Sequence, residues 1–174
     1  PKEGIFARVI KGGTLKAGDT LYYKPKVFKA RIITLSDRAS KGEYKDLSGP
    51  AISKFLKEHF ESINWIIEIE NTIIPDDRDR LSSLLVNEKE SGTDIIITTG
   101  GTGIGLRDIT PDVVKEFLDK EIPGIMEHIR VKYGLKRPNA LLSRGISGII
   151  GRSLIFTLPG SVKAVKEYMQ EIVK

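Results

Sequence analysis

The apolar positions of this chain change rhythm at Val27. Before it, short segments such as Ile5–Ile10 and Thr20–Tyr23 are separated by the turn signals Gly12-Gly13 and Gly18-Asp19. That spacing predicts two or three small strands over residues 1–26, too little chain to bury a core alone. From Val27 onward strand-like and helix-like patterns alternate. Ala30–Leu35 reads as a strand, Ser36–Ser48 as a polar loop, and Gly49–Phe60, with Pro50 in its first turn, as a helix. Ile63–Ile74 holds a second strand rich in β-branched residues. Asp76–Glu90 is a charged helix with Leu81, Leu84 and Leu85 on one face. Asp94–Thr99 is apolar throughout its middle, the mark of a strand covered on both faces.

Helices follow at Pro111–Asp119 and around Pro123–Tyr133. The less regular stretch Arg137–Gly151 leads to a strand at Ser153–Leu158, and Val162, Val165, Met169 and Ile172 give the closing helix its apolar face. This alternation predicts a three-layer α/β/α domain over 27–174 with a mostly parallel sheet, preceded by a short N-terminal β appendage over 1–26. Ligands of such sheets bind beyond the carboxyl ends of the strands. Ser36-Asp37, Pro75-Asp76, Gly100–Asp108 and Pro159–Ser161 all fall at such ends.

The net charge of +5 raises the question of a nucleic-acid partner. Residues 1–29 hold seven basic side chains (Lys2, Arg8, Lys11, Lys16, Lys24, Lys26 and Lys29) against Glu3 and Asp19, which accounts for the whole excess. The rest of the chain balances, and aromatic residues do not interleave with these lysines as they do on a single-strand platform. Nucleic acid is therefore not expected as a partner. No apolar run approaches the ~20 residues of a membrane span. Without cysteine there is no disulfide, thiolate zinc site or thiol nucleophile, which suits a cytoplasmic protein.

The richest chemistry lies in DIIITTGGTGIGLRDITPD at 94–112. A buried strand feeds Gly100, Gly101, Gly103 and Gly105; Arg107 and Asp108 follow, and Thr110-Pro111-Asp112 opens a helix. Exposed backbone N–H groups beside a cation and a carboxylate suit a phosphate and its metal. Leucine at position 106 breaks the dinucleotide fingerprint G-x-G-x-x-G, and no lysine stands where a P-loop needs one. The plainer reading of the glycines is a flexible connection; that of Arg107 and Asp108 is surface decoration or help to a helix cap. The sharper one gives Asp108 a magnesium ion and Arg107 a phosphate. Asp76 is either a turn residue or a second carboxylate on the same edge. Ser36 and Asp37 suit ribose or phosphate. His59 and His128, the only histidines, are not at metal-ligand spacing and read as structural.

Five blocks together resemble the MogA/MoaB molybdenum cofactor biosynthesis family. They are TLSDRASKGEYKDLSGPA at 34–51, IIPDDRD at 73–79, TTGGTGIGLRDITPD at 98–112, LLSRGISGIIGRSLIFTLPGS at 141–161 and, more weakly, PGIMEHIR at 123–130. The SDRASKGEYKD form is closer to the MogA branch than to the MoaB branch. The resemblance implies magnesium- and ATP-dependent adenylylation of molybdopterin with release of pyrophosphate, in a homotrimer that serves molybdate-inserting proteins of the same pathway. It places catalytic, metal-holding carboxylates at Asp76 and Asp108. It places substrate contacts at Ser36, Asp37, Thr99, Gly100, Gly101, Thr102, Gly103 and Arg107, and the pterin end at Ser143, Gly160 and Ser161. Val162 departs from the family pattern, which often has proline there.

GIFARVIKGGTLKAGDTL at 4–21 resembles the closing segment of a MOSC domain. With Pro1 in place of an initiating methionine, the expectation is a piece of a longer MOSC–MogA fusion. Two other readings stay open: a pterin-binding or scaffolding module without turnover, and a different nucleotidyl or phosphate-ester activity on the same fold.

Overall fold

The computed structural model describes residues 11–20, 22 and 24–174. The predicted strand Ile5–Ile10 lies outside them, as do Leu21 and Tyr23 of the second predicted strand. Residues 11–20 carry no strand. The Gly18-Asp19 signal is realised as a turn, in which the Asp19 N–H donates to the Lys16 carbonyl at 3.1 Å.

Six strands build one sheet in the order β2-β1-β3-β6-β5-β4. β1 (Val27–Leu35), β2 (Ile66–Ile74), β3 (Ile95–Thr99) and β6 (Ser153–Leu158) run parallel. β4 (Lys120–Glu121) and β5 (Ser147–Ile150) close one edge antiparallel. The expected mostly parallel sheet is present. Arg137–Gly151 is more ordered than its sequence suggested, for it holds β5 and a 3-10 helix over Pro138–Leu142. The polar loop after β1 likewise contains a single helical turn, α1 (Asp37–Ser40).

Side-chain alternation along the strands separates two cores. Ala30, Ile32, Ile97, Phe156 and Leu158 face α2 (Ser48–Ser62), α5 (Pro123–Gly134) and α6 (Val162–Ile172), meeting Ile52, Leu56, Met126, Ile129, Val165 and Met169. Ile33, Leu35, Ile96 and Ile155 face α3 (Arg78–Ser91) and α4 (Thr110–Phe117), meeting Leu81, Leu85, Val113 and Val114. Leu81 and Leu85 are fully buried, worth roughly 1.5–3 kcal/mol each, which is why the sparse apolar face of α3 suffices. Asp77 starts that helix by accepting from the Arg80 N–H at 2.9 Å, and Gly92 ends it in the left-handed conformation.

β1 connects outward to β2 on one side, while β3 and β6 continue on the other. The chain therefore reverses its winding between β1 and β3, and the loops after those two strands part there. That crevice holds the site.

Candidate active site

The loops after β1, β2, β3 and β6 converge on a cavity of about 860 Å³. Every residue to which the resemblance gives a site role lines it except Ser161. The Ser161 hydroxyl instead accepts from the Ala164 N–H at 3.3 Å as the cap of α6. Thr99 lines the wall but spends its hydroxyl on the Pro159 carbonyl at 2.8 Å, tying the β3 and β6 loops together.

Gly100 sits where three loops touch. Its φ is +104°, and a Cβ there would stand 2.2 Å from the Leu35 carbonyl oxygen, so only glycine fits. On its other side Gly160 approaches so closely that a Cβ on Gly160 would meet the Gly100 Cα at 3.3 Å. Thr110 completes the knot, its hydroxyl donating to the Gly100 carbonyl and its N–H to the Gly101 carbonyl, at 2.8 and 3.0 Å. The first part of the glycine loop is therefore a fixed rim rather than a loose connection.

Asp37 and Asp76 interlock across the mouth. The Asp37 N–H donates to Asp76 Oδ2 and the Asp76 N–H to Asp37 Oδ1, both at 3.1 Å. Arg107 reaches back to Asp37 Oδ2 at 2.5 Å, and the hydrogen bond from its guanidinium holds the Asp37 carboxyl below its ordinary value. Asp76 is pushed the other way. Burial raises it first, with the Asp37 and Asp108 charges adding to the effect despite the backbone N–H it accepts. Asp108 Oδ2 accepts from the Gly105 N–H at 2.8 Å. The edge thus carries three carboxylates, of which Asp37 and Asp76 feel Arg107, a distribution suited to a cation or a cation-bearing phosphate ligand.

At the opposite end of the cavity Ser143, Asn139, Tyr168 and the Arg137–Glu167 ion pair supply polar groups. Burial raises the Tyr168 hydroxyl above its ordinary value, against the lowering effect of its hydrogen bond with Ser143. Asp46 was read only as part of a polar loop. It lines the cavity while accepting from Thr34 Oγ1 at 2.7 Å and from the Ser48 N–H at 2.8 Å. The Ser48 hydroxyl in turn donates to the Gly160 carbonyl at 2.8 Å. Asp46 accepts from the Ser48 and Gly49 N–H groups at the start of α2, so an aspartate two residues before the helix was the signal that could have found it. Arg144, which grips the glycine loop, falls inside the 141–161 block of the resemblance but was given no role from the sequence.

The MoCF_biosynth family, described as "Probable molybdopterin binding domain", matches residues 31–174. The chain belongs to this family. Among its relatives, the molybdopterin adenylyltransferase of Pyrococcus furiosus is 41% identical over 155 residues, covering 86% of this chain and 87% of that protein. That of Helicobacter pylori is 40% identical over 142 residues, covering 81% and 79%. A solved structure of MogA superposes with a TM-score of 0.76 at 37% identity, covering 84% of this chain and 93% of that one. The family match leaves residues 1–30 outside it.

Proposed function

We propose that the chain adenylylates molybdopterin with ATP as a step of molybdenum cofactor biosynthesis. A terminal phosphate oxygen of molybdopterin attacks the α-phosphorus of ATP. A new P–O bond forms there as the bond to the bridging oxygen of the β-phosphate breaks, and pyrophosphate leaves with the electron pair. The observation that carries this reading is the convergence of a rigid glycine rim, Arg107, Asp76 and Asp108 in one cavity large enough for two substrates. The names of the relatives point the same way.

Nucleotidyl transfer needs positioning and charge neutralisation more than covalent catalysis. The Gly101–Gly103 part of the rim offers backbone N–H groups to phosphate oxygens, the Gly100 N–H being spent on the Leu158 carbonyl at 3.0 Å. Ser36 and Asp37 stand on the nucleotide side, and Ser143 and Gly160 on the pterin side. Arg107, paired with Asp37, lines the cavity and meets the phosphates. Magnesium fits the donor set. Among the described residues no three His, Cys, Asp or Glu side chains gather into a self-sufficient metal cage. Magnesium commonly takes only one or two carboxylates and completes its shell with phosphate oxygens and water. Asp76 and Asp108 would hold it, and the burial and negative neighbours that disfavour the Asp76 charge are what a divalent cation relieves. When bound, the ion neutralises phosphate charge.

We place the enzyme in the cytoplasm as a homotrimer that passes its product to a molybdate-inserting protein. Among the described residues no helix is long and apolar enough to cross a membrane. Residues 1–26 form a separate appendage in this reading. ATP labelled at the α-phosphate tests the reaction: the label is expected on the pterin product, while γ-label is expected in pyrophosphate. Transfer of γ-label to the pterin would replace adenylylation with phosphorylation. Pterin binding without either transfer would leave a scaffolding module.

A further inference from the structure

We propose that Arg144 is a positioning residue for this transfer, clamping the glycine loop so that Asp108 faces the cavity at a fixed distance from the rim. The proposal rests on the adenylyltransferase reading for its kinetic consequences, though not for the clamp itself. Arg144 lies on the strand-like lead into β5, thirty-six residues from Asp108 in sequence. Its guanidinium uses each nitrogen on a different partner. Nε donates to the Gly103 carbonyl at 2.7 Å, one terminal nitrogen to the Asp112 carboxylate at 2.8 Å, and the other to the Asp108 carbonyl. Its own backbone N–H donates to the Thr102 carbonyl at 2.8 Å. Four groups between positions 102 and 112 are therefore fixed by one residue.

These contacts bracket the second half of the loop. Gly100 and Gly101 are held by Thr110; the other anchors of residues 103–108 are the Arg107–Asp37 ion pair, the Asp108 N–H on the Gly105 carbonyl, the Ile109 N–H on the Arg107 carbonyl and the Gly105 N–H on the Asp108 carboxylate, none of which holds the Gly103 or Asp108 carbonyl. Leu106 is fully exposed and Ile104 largely so, so apolar burial does not hold this segment. The planar fork of arginine suits three divergent acceptors, which a lysine ammonium on a flexible stem does not reproduce. Asp112 sharpens the arrangement by fixing the third direction of the fork at 2.8 Å, and its hydrogen bond raises Arg144 above the ordinary arginine value. Neither Arg144 nor Asp112 lines the cavity, so the effect on turnover passes through Asp108 and the loop carbonyls rather than through substrate.

The test compares wild type, Arg144→Ala, Arg144→Lys and Asp112→Asn in two readouts. In steady-state pyrophosphate release, Arg144→Ala is expected to lower kcat by about 10²-fold, the scale of an ångström-sized misplacement. KM for ATP and for molybdopterin is expected to rise by less than kcat falls, because Arg107 and the Gly103 N–H lie in the loosened segment while Ser36, Asp37, Ser143 and Gly160 do not. Arg144→Lys is expected to recover little, Asp112→Asn to lie between, and added methylguanidinium to restore part of the Arg144→Ala rate. In hydrogen exchange without substrates, the amides of residues 102–109 are expected to open in Arg144→Ala while the sheet stays protected. Unchanged kcat, a rise confined to KM, or full recovery with lysine would overturn the proposal. If Arg144→Ala unfolds globally, Asp112→Asn decides by the same criteria. A wild type without turnover would sink the proposed reaction, whereas loop exchange unaltered by Arg144→Ala would sink the clamp.

Discussion

Placing a methyl group on Gly103 tests whether the position of the Asp108 carboxylate sets the rate. A Cβ at residue 103 would lie 2.8 Å from Asp108 Oδ2 and 3.2 Å from its Cγ. Ordinary van der Waals contact begins at 3.4 Å, so the carboxylate must retreat by about 0.6 Å. The backbone itself accepts alanine, because Gly103 is not among the glycines with positive φ. Retreat stretches or breaks the bond from the Gly105 N–H to Asp108 Oδ2, now 2.8 Å. A hydrogen bond to a charged group is worth about 1.5–3 kcal/mol, and losing such an interaction in the transition state slows turnover roughly 10–100-fold. Gly103→Ala is therefore expected to lower kcat by that factor in a pyrophosphate-release assay, with KM for ATP little changed. Its melting temperature is expected to move by no more than ~2–4 °C, the shift of about 1 kcal/mol in a chain of this size. A variant with wild-type kcat would show that the loop, not the carboxylate, absorbs the methyl, and would refute the reasoning.

Asp108→Ala is expected to abolish measurable turnover, a loss of at least ~10²–10³-fold, while far-UV circular dichroism stays native; an active variant would remove the carboxylate's role. Arg31→Met leaves Glu88, 5% exposed, with the Thr93 hydroxyl but without the guanidinium 2.7 Å away. Calorimetry should record a loss of about 3–5 kcal/mol, and a shift below ~2 °C would count against a buried ion network. Lys132, bonded to Glu171 at 2.8 Å, lowers that carboxyl from 4.5 to about 2, with Lys174 assisting. Because the folded value is depressed, its stabilisation is full above pH 4.5 and fades as the pH falls toward about 2. Glu171→Gln should therefore destabilise the fold near neutrality and flatten acid unfolding across that window, and identical acid curves would contradict the pairing. Deleting residues 1–26 is expected to leave kcat within about twofold, since every cavity-lining residue lies beyond them and, among the described residues, the ion pair removed is the partly exposed Lys26–Asp94 contact.

The parallel half of the fold was legible because its strands are covered on both faces and read as unbroken apolar runs, Asp94–Thr99 above all. The antiparallel edge was not. β4 is only two residues long, and β5 begins Ser147-Gly148, so neither shows a period. Gly148 looks like a breaker, yet a Cβ there would strike the Lys120 carbonyl at 2.3 Å. It is glycine because the paired strand β4 brings the Lys120 carbonyl against it. The cavity wall was legible where chemistry and backbone need coincide at strand ends, as in Gly100–Gly103, Asp37, Asp76 and Asp108. Arg144 escaped because its partners are mostly main-chain carbonyls, which no residue pattern advertises. Ser161 illustrates the converse: a hydroxyl at a strand end also serves as a helix cap, and the cap is the contact it makes.

The most direct measurement incubates the chain with molybdopterin, ATP and magnesium, and quantifies adenylylated pterin and pyrophosphate beside an Asp108→Ala control. Equal amounts of both products from the wild type, and neither from the control, are predicted. Bound pterin with no adenylylated product, or equal product from the control, would contradict the account.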